Sequence, residues 1–326
     1  MNILVLGGAG YIGSHFAKQA IKEGHHAIVI DNLQTGHLKA VDKNAVFYKG
    51  DIRDSAFLDY VFNSEKIDAC VHFAANSLVG VSMKEPLQYF DNNVYGTIEL
   101  LKAMNRHQVK YIVFSSSAAV YGSHKEMPIT EEFLTLPTNP YGESKLMMEK
   151  MMKWADLAYG MRFVSLRYFN VAGASDDHSI GEVHIPETHL IPLVLRVPLG
   201  KSETITVFGS NYNTPDGTCI RDYIHMYDLI QAHLLALKYL SNNNPSDIFN
   251  LGSNSGYSNL EVIQMAREIT NHPIPLVMGD RRPGDPDQLI ASNTKAFNIL
   301  GWIPTKGLKD IITDAWAFHQ SHPEGY

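Results

Sequence analysis

The sequence predicts an α/β protein built on a Rossmann-type, doubly wound parallel sheet, with a smaller mixed α/β substrate domain in its C-terminal part. Three observations carry this. Short apolar runs alternate with helix-period segments through the first half of the chain. Those runs are continuously apolar, as strands covered by helices on both faces are. A glycine-rich stretch, GGAGYIGSH (7–15), follows the first run directly and opens the first helical pattern.

NILVL (2–6), HAIVID (26–31), AVFYKGD (45–51), IDACVHFAA (67–75) and VKYIVFSSS (109–117) read as strands. IGSHFAKQAIKEG and VYGTIELLKAMNRH, between them, space their apolar residues as helices do. After residue 170 Pro and Gly become more frequent, and FGSNYNTPDGT (208–218) reads as an ordered loop. Helical patterns return at YDLIQAHLLALKYL (227–240) and NLEVIQMAREIT (259–270). We therefore expect a dinucleotide-binding domain over 1–170 and a substrate domain over 171–326, with room for later segments to return to the first sheet. No internal repeat period or low-complexity stretch is present.

Composition narrows the class. Of 326 residues 45% are hydrophobic and 19% charged, as in a globular protein with a sizeable core. The net charge of −7, without a Lys/Arg run, argues against nucleic acid as a partner. The only cysteines, Cys70 and Cys219, stand far apart in no metal-ligand spacing, which suits a reducing compartment. The first apolar run is cut by glycine and has no basic segment before it, and no run of about 18 apolar residues follows anywhere. The expectation is a cytoplasmic protein without a membrane anchor.

Gly8, Gly10 and Gly13 fit G-x-G-x-x-G, and Gly7, Gly10 and Gly13 fit the related G-x-x-G-x-x-G form. Such glycines let the backbone approach a pyrophosphate at a helix N-terminus and let helix and strand pack closely. Asp31 ends the second strand 18 residues after Gly13, where a carboxylate accepts hydrogen bonds from ribose hydroxyls. A carboxylate there repels a 2′-phosphate, and residues 32–36 hold no arginine to attract one, so NAD is favoured over NADP. Asp51 and Ile52, in GDIRD, either hold the adenine edge or form a turn.

PYGESK (140–145) opens another helix, and Tyr141 and Lys145, four residues apart, share one face of it. A free tyrosine, with a pKa of about 10, is a poor base at neutral pH. A nearby ammonium and a nicotinamide cation would both favour its phenolate. The spacing alone also occurs by chance on surfaces; the preceding strand, ending in the serines of SSSAAVYG (115–122), adds the catalytic context.

The glycine loop, the serine-rich strand end and Tyr141-x-x-x-Lys145 together resemble the extended short-chain dehydrogenase/reductase family, and within it the UDP-hexose 4-epimerases. The similarity continues through RYFNVAGA (167–174), NYNTPDGTCIRDYIHMYDL (211–229) and RRPGD (281–285). It implies interconversion of UDP-glucose and UDP-galactose: NAD-dependent oxidation at C4, rotation of the 4-keto sugar, and reduction on its other face. It implies that Tyr141 takes the 4-hydroxyl proton, that Lys145 tunes it and touches the nicotinamide ribose, and that Ser117 bonds the same oxygen. Tyr11, Ile12, Asn32, Phe73, Ala74, Ala75, Asn92, Ser115 and Tyr168 match cofactor-side positions. Asn170, His189, Leu190 and Phe208 match substrate-side positions, while Arg221, Arg282 and Asp285 match groups that hold the UDP diphosphate and ribose. A homodimer is also implied, through helices around 82–106 and 141–159.

The chain departs from the family where Ser77 replaces a common Lys, Val81 a Glu, and His189 an Asn. His189 either substitutes as a donor or packs. Leu289 stands where a bulky tyrosine limits room around the sugar 2-substituent in some members, so N-acetylated UDP-hexoses are further candidate substrates. The remaining histidines, His225 and His233 among them, read as core or surface residues, and no metal is expected. Two rival readings share the fold: a nucleotide-sugar 4,6-dehydratase or decarboxylase, and a non-catalytic NAD or nucleotide sensor. The related dehydratases place carboxylates directly after the position of Ser117, where this chain has Ala118 and Ala119. Alanine transfers no proton, which disfavours elimination. The retained Tyr/Lys pair disfavours the sensor.

Overall fold

The computed structural model describes residues 1–282 and 285–326; Pro283 and Gly284 of the RRPGD motif lie outside the described residues. Seven parallel strands form the central sheet: β1 (Asn2–Leu6), β2 (His26–Asp31), β3 (Val46–Lys49), β4 (Ala69–His72), β5 (Tyr111–Ser115), β6 (Arg162–Tyr168) and β7 (Asp247–Leu251). Their spatial order is β7-β6-β5-β4-β1-β2-β3, so the direction of winding reverses between β1 and β4. At such a reversal a crevice opens beyond the carboxyl ends of the strands. Leu6 pairs in register with Ile30 on one side and His72 on the other, which brings those ends level.

The pleat explains why the strands are apolar throughout. Ile3, Val5, Val29, Val71 and Leu166 enter one core with Phe16 of α1 (Tyr11–Lys22). Leu4, Leu6, Ile28, Ile30 and Phe114 enter a second core on the opposite face. That second core is completed by Leu58 of α2 (Ser55–Ser64), Met104 of α3 (Gly96–Arg106) and Met148 of α4 (Pro140–Tyr159). Side chains of a strand alternate between faces, so burial on both removes polar positions.

Past residue 170 the chain serves both parts of the molecule. Helix α5 (Met226–Ser241) covers the α1 face of the sheet, and β7 pairs with β6 from Asp247–Val164 to Leu251–Tyr168. A separate core lies between α6 (Asn259–Thr270), α7 (Leu308–Ser321) and the short helix Leu190–Leu195. Helix α6 starts at a capping box, with Ser258 Oγ accepting from Glu261 N at 3.1 Å and Ser258 N donating to Glu261 Oε2 at 2.7 Å. Among the described residues no helix is long and apolar enough to cross a membrane.

Several strands stop short of their apolar runs. IDACVHFAA narrows to β4 (Ala69–His72), and VKYIVFSSS ends as a strand at Ser115. The trailing residues leave the sheet to form the wall of the crevice, where small or polar surface is needed. The run DIFNL of β7 carries no distinct strand signal between its polar flanks, yet it extends the sheet.

Candidate active site

The crevice is a cavity of about 860 Å³ running from the glycine loop to the second lobe. At its first end Gly7 has φ +77°, and a Cβ there would lie 2.6 Å from Ala74 N. A Cβ on Gly13 would lie 2.2 Å from Gly7 O, so helix α1 approaches the loop only because residue 13 is glycine. Gly10 caps α1 without a side chain, leaving first-turn N–H groups free for an anion. Asp31 Oδ2 accepts from Ala9 N at 3.0 Å and Oδ1 from Leu33 N at 2.8 Å, and burial pushes its carboxyl up. A carboxylate has about four acceptor sites, so it retains capacity for a ribose. The glycine cradle, the uncapped helix and Asp31 fit a dinucleotide.

Tyr11, Ile12, Asn32, Ile52, Phe73, Ala74, Ala75 and Asn92 line this same end. Asn92 lies in a wide π-turn, Phe90–Tyr95, and its Nδ2 donates to Asn93 Oδ1 at 3.0 Å. Two residues of the cofactor-side reading stand off the cavity wall among the described residues. Asp51 does not line the cavity: Arg53 Nε and Nη2 donate to it at 2.9 and 2.7 Å, and Asn32 Nδ2 at 3.0 Å. This pairing holds its carboxyl well below the usual range. Ser115 does not line it either, because it is the last residue of β5 and its side chain turns into the core, where Oγ meets His233 Nε2 at 2.9 Å.

The middle of the cavity is set by α4. Pro140 occupies its first turn, and Asn139 caps it by accepting from Gly142 N at 2.9 Å. One turn apart, Tyr141 and Lys145 then face inward, 9% and 3% exposed. Lys145 Nζ donates to Ser115 O at 2.8 Å and lies 5.8 Å from the Tyr141 ring centre. Burial pushes the lysine down to about 7, opposed by Glu149. Burial pushes Tyr141 up to about 12, opposed by the nearby Ser117 hydroxyl. Ser117 caps a 3₁₀ turn, accepting from Ala119 N at 3.1 Å, and Ala118 and Ala119 put no ionisable group on the wall. Tyr168 lines the cavity beside them, its phenol raised by burial.

Beneath this trio lies a network that the sequence reading missed. Glu149, one turn beyond Lys145, accepts from Ser116 Oγ at 2.5 Å and from Arg167 Nε and Nη2 at 2.9 and 2.5 Å. Arg167 also donates to Tyr121 OH at 2.8 Å, and Tyr121 OH donates to Asn250 Oδ1 at 2.7 Å. The chain of bonds fixes α4 against β5, β6 and β7. An acid at i+4 from the active lysine was the available signal, but acids on helices are ordinary surface residues.

At the far end Asn170, Leu190, Phe208, Arg221, Arg282, Asp285 and Leu289 line the cavity. Arg282 stacks on Phe208, 4.1 Å from its ring centre. Arg221 donates to the carbonyls of Ile220 and Pro286 at 2.9 and 3.0 Å and lies 3.5 Å from Asp285. Leu289 packs with Val120, Tyr121, Ile129 and Leu146. His189 also lines the cavity, but its Nδ1 points to Glu182 and Glu187 at 2.8 and 3.1 Å. His225 and His233 are core residues: His225 Nε2 meets Asp314 at 3.0 Å, and His233 Nδ1 meets Leu229 O at 2.9 Å. Glu182, His184, Glu187 and His189 converge, a grouping that the sequence reading did not name.

Comparison with known proteins agrees with this layout. The model of the NAD dependent epimerase/dehydratase family matches residues 3–252. The chain is 58% identical to the UDP-glucose 4-epimerase of Lacticaseibacillus casei, with 100% of this chain and 99% of that protein aligned. A crystal structure of a UDP-glucose 4-epimerase superposes with a TM-score of 0.99 at 55% identity, over 100% of this chain and 99% of that one. The UDP-glucose 4-epimerase of Bifidobacterium longum, in complex with NAD+ and UDP, superposes with a TM-score of 0.94 at 38% identity, covering 100% of both chains.

The buried Glu149–Arg167 pair gives a first test. Glu149→Gln leaves the Arg167 guanidinium buried without its counter-charge, so unfolding free energy should fall by about 3–5 kcal/mol in denaturant titration. A change within about 0.5 kcal/mol, the usual range for an exposed site, would mean that the pair does not anchor the helix.

Proposed function

The chain belongs to the NAD dependent epimerase/dehydratase family, and from that premise we propose that it interconverts UDP-glucose and UDP-galactose at C4 with NAD as its cofactor. One observation carries the reading. Tyr141, Ser117 and Lys145 meet midway along a cavity that offers a dinucleotide cradle at one end and arginines at the other. NAD, when bound, takes up the C4 hydrogen and gives it back.

The chain's own residues do the rest. Tyr141 takes the proton of the 4-hydroxyl and later returns it, while Ser117 holds the same oxygen by a hydrogen bond. Lys145, fixed by Ser115 O, supplies the positive charge that makes the phenolate accessible. Arg221 and Arg282 bind the diphosphate through charge-assisted bonds. Around the hexose, Ala118, Ala119 and Leu289 offer no directional partner, which lets a ketone at C4 turn its other face. The two alanines supply no acid or base directly after Ser117, where the related dehydratases place carboxylates, which disfavours elimination.

Leu289 on the cavity wall supports a wider substrate range, including UDP-N-acetylglucosamine and UDP-N-acetylgalactosamine. Exposed apolar side chains support a homodimer: Leu87 is 79% and Trp154 70% exposed, with Met83 and Leu157 beside them in sequence. Two buried, unpaired cysteines suit the cytoplasm.

Purified protein given UDP-galactose should form UDP-glucose without added reductant; absence of turnover would favour the sensor. Tyr141→Phe should lower kcat by at least about 100-fold. Lys145→Met removes the neighbouring cation, raises the phenol pKa and should move the pH–rate profile to higher pH; an unmoved profile contradicts its role. Leu289→Tyr should depress turnover of UDP-N-acetylglucosamine by about tenfold more than that of UDP-glucose. Light scattering should report twice the 36.4 kDa chain mass, reduced to one chain by Trp154→Glu.

A further inference from the structure

The segment GEVHIPETH (181–189) carries Glu-x-His-x-x-Glu-x-His and folds so that the four side chains face a common centre. One donor atom from each lies within 4.8 Å of all the others. His184 Nδ1 stands 3.2 Å from Glu182 Oε1 and 3.7 Å from Glu187 Oε2. His189 Nδ1 stands 2.8 Å from Glu182 Oε1 and 3.1 Å from Glu187 Oε1. Zinc bonds to nitrogen and oxygen at about 2.0–2.1 Å, and a tetrahedron with such arms has edges of about 3.3 Å. The four His–Glu separations lie on either side of that edge, with Glu187 meeting His184 through Oε2 and His189 through Oε1.

A second observation also points to a missing ligand. His184 Nδ1 is buried and has no hydrogen-bond partner, although Glu182 Oε1 is only 3.2 Å away. That nitrogen therefore lies among the carboxylates without a hydrogen bond to either. The Glu182 and Glu187 side chains are 5% and 4% exposed, so two carboxylates share one poorly hydrated space. Two negative charges so placed call for a dication, or for two imidazolium rings crowded 5.1 Å apart. The outer bonds are in place: Glu187 Oε1 accepts from Thr188 N at 2.7 Å and His189 N at 2.8 Å, which fixes that carboxylate. A separate pocket of about 270 Å³, bordered by Glu182, His184 and Glu187, gives a route from solvent.

We propose that Glu182, His184, Glu187 and His189 form a closed, four-coordinate zinc site that staples the 181–189 segment to the wall of the nucleotide-sugar cavity. Two nitrogen and two oxygen donors suit Zn²⁺, and four protein ligands would leave no open position, which makes the site structural. The metal would hold the stretch leading into Leu190, and Glu182, His184 and His189 themselves border the cavity that Tyr141 lines. The site does not depend on which sugar is turned over.

The test uses untagged full-length protein stripped by chelator dialysis and titrated with Co²⁺ and then Zn²⁺. The result expected is saturation at about one Co²⁺ per chain with the strong visible absorption of four-coordinate Co²⁺, its loss on adding Zn²⁺, and a higher melting temperature with Zn²⁺. Glu187→Gln and His184→Asn should each weaken Co²⁺ binding by more than about tenfold, while His107→Asn, on a remote helix end, should not. Absence of saturable binding by the wild-type protein, a weak six-coordinate spectrum, or binding indifferent to both ligand variants would each overturn the proposal. Because the wild-type titration decides by itself, a variant that fails to fold does not rescue it.

Discussion

A lysine ammonium held out of water is the constraint on which the site depends. Lys145 is 3% exposed and its recorded hydrogen bond goes to one main-chain carbonyl, Ser115 O, at 2.8 Å. Burying such a charge is costly unless it is compensated, and burial here pushes the group down to about 7. The same dryness pushes Tyr141 up to about 12. Each charge is disfavoured alone, so the phenolate becomes accessible when the ammonium is beside it. Helix α4 must then be held so that residues one turn apart meet the end of β5. Asn139 and Pro140 fix where the helix starts, and Glu149 with Arg167 fixes its side.

The cavity divides the work of binding by chemistry. Its ends are polar and rigid: glycines at the pyrophosphate position, Asp31 held by two main-chain N–H groups, Arg282 stacked on Phe208. Its middle is small and weakly polar except for Tyr141, Ser117 and Lys145. A sugar nucleotide tethered at the far end by its charged part can turn its hexose only if the walls there do not grip it. Ala118, Ala119 and Leu289 meet that requirement. Binding strength and rotational freedom therefore reside in different parts of one ligand.

The parts of this arrangement that depend on local patterns were legible in the sequence. The glycine loop, the acid ending β2 and the Tyr/Lys pair on one helical face all appear where local spacing places them, and the continuous apolar runs follow from burial on both sheet faces. What was hidden depends on contacts between distant residues. DIFNL is too short and too polar at its flanks to announce itself as β7, and pairing with β6 makes it a strand. Asp51, read either as an adenine contact or as a turn residue, is paired with Arg53. Ser115 contributes its carbonyl and not its hydroxyl, a choice set by the strand's pleat. Glu149 finds Arg167 18 residues along, through a helix-to-strand reversal that no short window reveals.

The central claim is that the ketone formed at C4 has one fate, return of its own hydrogen, because Ala118 and Ala119 supply no acid or base directly after Ser117 to start elimination. UDP-galactose carrying deuterium at C4 should give UDP-glucose that keeps the label at C4, and the unlabelled reaction run in D2O should place no deuterium at C5. Loss of the C4 label to solvent, or deuterium appearing at C5, would contradict the account.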